Sequence, residues 1–193
     1  MPSLAFCKPR VMGINRMSFV FFLLMVIGLT GSSASSSEKM DYPKQVVDEI
    51  RELEWECTEE GGSMGASDSP PKNFSYKTPL SIIRFSDLTG DGINDYYFAG
   101  KDVFCQMGLT NRHGSRGGQA LIIFLGQKNN AAKKIFEQTV WETDFTNRIS
   151  VIVAGSYCTT IPIPEDTPMS DISTCKRYVE WNDLNKKFEF TEK

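Results

Sequence analysis

The stretch Asp87-Leu88-Thr89-Gly90-Asp91-Gly92-Ile93-Asn94-Asp95 constrains this chain more than any other. Oxygen-bearing side chains recur at Asp87, Thr89, Asp91 and Asp95, and glycine stands at position 92, where a tight loop must turn. Calcium takes about six to eight oxygens at roughly 2.3–2.6 Å, and a short loop delivers them only if alternate residues point inward. Asp87, Thr89 and Asp91 alternate in this way, Ile93 is placed to offer its carbonyl, and Asp95 closes the shell directly or through water. Gly92 supplies the positive φ that other residues resist. Three carboxylates within one short loop repel one another unless a cation lies between them, so the expected cofactor is a structural Ca²⁺ ion.

The flanks decide what kind of loop this is. A helical calcium hand requires Glu at the twelfth loop position, and here that residue is Phe98. Ser81–Phe85 and Asp95–Ala99 are rich in β-branched and aromatic residues and read as strands. The loop is therefore expected between two strands.

Residues 1–34 have the form of a signal peptide. Lys8, Arg10 and Arg16 make a positive start, Ser18–Leu29 is a short apolar run, and Gly31-Ser32-Ser33-Ala34 supplies small residues for cleavage after Ala34. A membrane span would need about 20 apolar residues, so no span is expected once the segment is removed. Translation starting at Met12 or Met17 would shorten the leader. Cleavage takes away three basic residues and no acidic one, moving the formal charge from −3 to −6. That balance argues against nucleic acid or anionic lipid as a partner. Residues 35–41 form a polar lead-in, and 42–193 a single domain, periplasmic or secreted.

Four cysteines follow the leader: Cys57, Cys105, Cys158 and Cys175. An even number in an exported chain reads as two disulfides, with three possible pairings. Cys57–Cys105 and Cys158–Cys175 are the favoured ones, the second closing the base of loop 159–174. The absence of Cys-x-x-Cys spacing argues against a zinc site.

A helix is expected from Pro43 to about Glu60, with Val46, Ile50, Leu53 and Cys57 on one stripe and Gly61-Gly62 at its end. Trp55 falls on the opposite face among glutamates, either under loop 63–79 or as an exposed anchor for a partner. Gly61-Gly62-Ser63-Met64-Gly65 matches Gly-x-Ser-x-Gly, but a helix precedes it where the nucleophile elbow needs a strand. Asn73-Phe74-Ser75 is a glycosylation sequon, meaningful in a eukaryotic secretory route. Arg112, His113 and Arg116 make a small basic patch in loop 101–118, a second candidate partner surface. Further strands are expected at Gln119–Leu125, central in the sheet, at Lys134–Trp141 and at Arg148–Ala154. A closing hairpin is expected from Cys175–Trp181 and Lys187–Phe190, turning at 182–185.

Taken together, the chain resembles small exported bacterial proteins with a single FG-GAP/VCBS-like calcium-binding motif. The features that carry the resemblance are Cys57 followed by Gly61-Gly62, the loop from Asp87 to Asp95-Tyr96, Cys105, Gly117-Gly118 before an apolar strand, and Tyr178-x-x-Trp181. The chain lacks the cysteine pair that often flanks the glycines before that strand. The resemblance implies fold and compartment more than mechanism. The expected fold is α+β: an N-terminal helix packed on a mostly antiparallel sheet of six or seven strands, disulfide-stapled. The expected function is non-enzymatic, a calcium-stabilised binding protein acting on another exported protein, of the inhibitor or immunity type. The rival readings are a hydrolase whose acidic loop holds a water-activating metal, and an envelope or adhesion domain. Oligomeric state is left open.

Overall fold

The computed structural model describes residues 41–58, 69–107, 112–115, 118–161, 163–164 and 166–192. The leader, the Gly-x-Ser-x-Gly stretch, Gly61-Gly62, Arg116 and Gly117 lie outside the described residues.

The first described element is helix α1, Lys44–Glu56, with Pro43 as its N-cap; it stops short of the expected Glu60. Among the described residues, nine strands follow: β1 Arg84–Ser86, β2 Asp95–Ala99, β3 His113–Ser115, β4 Gly118–Gln127, β5 Ala131–Val140, β6 Glu142–Asp144, β7 Ser150–Ala154, β8 Thr174–Asn182 and β9 Lys187–Thr191. All pairings are antiparallel. The expected single sheet of six or seven strands is corrected to two sheets. The first is built on β4, which pairs with β2, β3 and β5, with β1 outside β2; the second runs β6-β7-β8-β9. The chain crosses between them at the end of β5, where Trp141 N–H donates to the Ile152 carbonyl at 2.7 Å.

Three layers explain why the middle of β4, Ala120–Leu125, is apolar throughout. Its side chains alternate between faces, and both faces are covered. Ala120, Ile122 and Phe124 join Val46, Ile50 and Leu53 of α1 in one core. Leu121 and Ile123 join Val151, Val153, Val179 and Phe188 of the second sheet in another. The helix stripe Val46, Ile50 and Leu53 is fully buried, as its spacing requires.

A bulge in β5 changes which residues meet. Ile123 pairs with Phe136 but Phe124 with Lys134, so Ile135 is the extra residue. This flips the strand's parity. Phe136 and Val140 turn to the second sheet, while Lys134 and Glu137 both reach the helix side. There they meet Arg112, whose guanidinium lies 2.8 Å from Glu49, 2.8 Å from Glu56 and 2.7 Å from Glu137. Lys134 lies 2.9 Å from both Glu49 and Glu137. Burial pushes the Glu137 carboxyl up, but the Lys134 hydrogen bond and the Arg112 charge outweigh it and hold it below its usual range.

The two disulfides are Cys57–Cys105 and Cys158–Cys175, with Cα atoms 5.0 and 5.5 Å apart, within the ordinary span of such bridges. They mark an exported kind of chain. Among the described residues, no helix is long and apolar enough to cross a membrane.

Candidate functional site

The loop 87–95 joins β1 to β2 as an antiparallel hairpin, with Ser86 opposite Asp95. The strand expected at 81–85 is shorter than its composition indicates. A single helical turn occupies Leu80–Ile82, and pairing begins at Arg84. Gly90 and Gly92 take φ of +79° and +84°, and a Cβ at either would meet open space. Their requirement is conformational, not steric.

Those two turns aim backbone N–H groups inward. The Asp87 carboxylate accepts from Gly90 at 2.7 Å, Asp91 at 3.1 Å and Gly92 at 2.8 Å. The Gly92 amide, with those of Gly90 and Asp91, holds the Asp87 carboxyl below its ordinary value. Asp91 accepts from the Ile93 N–H at 2.8 Å. Asp95 is fully buried and bridges two segments, accepting from Leu88 N–H at 2.9 Å and Gly126 N–H at 3.0 Å. Burial pushes its carboxyl up, against the pull of those amides. The Thr89 hydroxyl oxygen is buried and has no hydrogen-bond partner.

This donor set is all oxygen, which is the chemistry of a hard cation, and a buried hydroxyl without a partner is what such an ion would satisfy. The carboxylates of Asp87, Asp91 and Asp95 are each turned to backbone amides. Among the described residues, the metal-ligating atoms gathered within 4.8 Å of one another belong to Cys57, Cys105 and His113.

Gly126 is the loop's partner that a reading of local sequence passes over. It lies near the end of β4, beyond the strand expected at Gln119–Leu125, and a Cβ there would fall 1.9 Å from the Asn94 carbonyl oxygen. A glycine inside a strand pattern is itself the available signal, since it marks a close backbone approach. Gly126→Ala is therefore expected to cost about 2 kcal/mol by forced displacement. It should also speed hydrogen exchange at the Leu88 and Gly126 amides that hold Asp95, measured by mass spectrometry or NMR.

The loop also walls a cleft of about 700 Å³ between the two sheets. Asp87, Leu88, Thr89 and Gly90 form one side, and Glu180, Trp181, Asp183 and Phe188 the other, with Tyr97, Phe145 and Arg148 between them. The Trp181 ring is fixed in place: it packs edge-on to Phe188 at 5.2 Å, and its Nε1–H donates to Asp183 at 3.1 Å. Arg148 stacks 3.6 Å from the Tyr178 ring centroid and faces Glu180 at 3.4 Å.

The surface expected at Trp55, Arg112 and His113 is corrected. Trp55 is 8% exposed and packs on Phe74 at 5.3 Å, so the loop that follows the helix covers it. Arg112 is held by three glutamates, because the β5 bulge brings Glu137 to join the two from α1. His113 is fully buried. Burial, then the adjacent Arg112 cation, pushes its pKa below the ordinary 6.5, against a hydrogen bond to the Leu53 backbone. No known family, curated protein or solved structure matches this chain.

Proposed function

We propose that this is an exported, calcium-stabilised recognition domain, periplasmic or secreted, of the FG-GAP/VCBS-like kind, that engages another exported protein through the cleft between its two sheets. One observation carries the reading: the loop with the all-oxygen donor set is also a wall of the cleft. Asp87 and Thr89 belong to both. Asp87, Thr89, Asp91 and Asp95, with the Ile93 carbonyl, would hold the ion. When bound, it would offset most of the loop's negative charge and fix one side of the cleft against the other. The aromatic rings of Tyr97, Phe145, Trp181 and Phe188 beside Arg148 are the residue types enriched in protein-recognition patches, with Asp87, Glu180 and Asp183 adding charge. The reading is non-enzymatic because His113 does not line this cleft and the Asp87 and Asp95 carboxylates are engaged by backbone amides.

Thermal melting of the mature, oxidised protein tests the ion. At a hundredfold excess over its Kd, calcium adds about 2.7 kcal/mol. For a domain of this size that raises Tm by roughly 5–10 °C over the chelator-treated sample. Asp91→Asn keeps the oxygen that accepts from Ile93 and removes the charge, so it should lose most of this difference without lowering the chelated Tm. Equal melting in calcium and chelator would overturn the ion. For the cleft, Arg148→Glu should abolish capture of a partner that the parent protein retains from the exported fraction. Equal capture by both proteins would count against it.

A further inference from the structure

The disulfide at the end of α1 has a histidine beside it. Cys57 follows the last turn of the helix, Cys105 follows the short helical turn Gly100–Asp102, and His113 opens β3. Their two sulfurs and an imidazole nitrogen all lie within 4.8 Å of one another. Cys57 and His113 are fully buried, and Cys105 is half-buried. This is the chain's only histidine.

Two thiolates and an imidazole form a zinc-type ligand set. Zn–S bonds of about 2.3 Å and Zn–N bonds of about 2.0–2.1 Å, arranged tetrahedrally, place the ligand atoms roughly 3.5–3.8 Å apart. In the disulfide the two sulfurs are bonded and closer than this, so they would have to part on reduction, and the 4.8 Å within which all three atoms lie leaves the imidazole in reach. Sulfur and nitrogen ligands select a thiophilic ion and disfavour calcium, so this site is separate in chemistry from the loop 87–95. The His113 ring donates to the Leu53 backbone, the kind of contact that orients a metal-bound histidine.

The three ligands are held by bonds that do not pass through sulfur. Met107 N–H donates to the Cys57 carbonyl at 3.1 Å, tying the two cysteine segments together. Ala120 N–H donates to the Arg112 carbonyl at 2.9 Å, and His113 pairs with Gln119 of β4. None of these contacts involves the S–S bond itself.

We propose that the Cys57–Cys105 disulfide masks a metal site, and that on reduction Cys57, Cys105 and His113 bind a zinc-class divalent ion. A dithiol reductant supplies two electrons and two protons. The S–S bond breaks, two thiols form, and the reductant leaves as its own disulfide. The entering ion displaces the two thiol protons to solvent, and the fourth coordination position is open to water.

The test uses the mature chain carrying Cys158→Ser and Cys175→Ser, so that only one thiol pair can form. A phosphine reductant converts the disulfide to two thiols and is itself oxidised to the phosphine oxide, the oxygen coming from water. Cobalt(II) is then titrated in as a spectroscopic probe. The expected result is one equivalent bound, with thiolate-to-cobalt charge-transfer and tetrahedral d–d absorption, displaced by zinc and absent from the oxidised protein. His113→Gln should weaken binding by at least the roughly 10–100-fold that loss of an outer contact alone costs. Melting of the oxidised His113→Gln protein verifies that it folds. If reduction unfolds the apoprotein, circular dichroism should follow the same one-equivalent titration. Equal cobalt binding before and after reduction, spectra without thiolate charge transfer, or unchanged affinity in His113→Gln would overturn the proposal.

Discussion

Replacing Glu54 with alanine is expected to lower the unfolding free energy by about 4 kcal/mol. The side chain is only 3% exposed, although it sits on a helix dense in glutamate. One carboxylate oxygen accepts from the Lys77 N–H at 2.6 Å. The other accepts from the Thr78 N–H at 2.8 Å and the Thr78 hydroxyl at 2.5 Å. The Thr78 hydroxyl oxygen in turn accepts from the Phe104 N–H at 2.9 Å. One carboxylate thus joins α1 to the segment before β1 and, through Thr78, to the segment carrying Cys105. Alanine strands two amides and a hydroxyl in a part-buried place, and an unmade buried hydrogen bond costs about 1–3 kcal/mol for each group. Glu54→Gln should recover only part of the loss, because its single carbonyl can serve one side while its NH₂ group faces a second N–H donor. Urea unfolding of the oxidised protein measures both. A change within about 0.5 kcal/mol for Glu54→Ala, the range of an ordinary surface substitution, would show that the network is not structural.

That network also marks where local sequence stops being informative. Glu54 lies among Glu52, Trp55 and Glu56, a pattern that reads as a solvated face, and the amides that bury it come from residues 23 and 24 positions away. No periodicity encodes such a partner. The helix stripe, by contrast, is legible because Val46, Ile50 and Leu53 meet the sheet through the helix's own repeat. The same stripe turns Cys57 inward and makes its bridge to Cys105 readable. Strand existence is also legible in β4, β5, β7, β8 and β9, since each carries its own apolar pattern. Their division between two sheets is not, because alternation specifies that a face is buried and says nothing of what covers it. The bulge at Ile135 is hidden for a related reason: Ile135 and Phe136 are both apolar, so a parity flip between them leaves no trace in the hydrophobic pattern. Its one local sign is the opposite charge on Lys134 and Glu137, which the flip puts on a common face. In the loop 87–95 the glycines and oxygens are legible as a tight acidic turn. The wall it forms with Trp181 and Asp183 depends on packing between sheets.

Removing the Cys57–Cys105 bridge is expected to destabilise the protein more than removing Cys158–Cys175. Cross-linking limits the unfolded chain by an entropy that grows with the enclosed loop, and the separations are 48 and 17 residues. The loop-length relation gives about 4 kcal/mol for the first bridge and about 3 kcal/mol for the second. Native context widens the gap. Cys175 pairs directly with Val153 in the β7–β8 ladder, so the second bridge staples segments that strand pairing already joins. Cys57 and Cys105 join the end of α1 to a segment after β2, where the Met107-to-Cys57 backbone bond and the Glu54–Thr78–Phe104 chain are the neighbouring ties. Cys57→Ala with Cys105→Ala should therefore lower Tm by roughly 8–16 °C, and Cys158→Ala with Cys175→Ala by less, at equal protein and calcium concentrations. The reverse order would mean that the helix is anchored chiefly by its apolar stripe and by the Arg112 cluster. Combining Glu54→Ala with Cys57→Ala and Cys105→Ala separates these contributions. If the carboxylate and the disulfide hold the same segment, their combined cost falls short of the sum by more than the roughly 0.5 kcal/mol expected of independent sites.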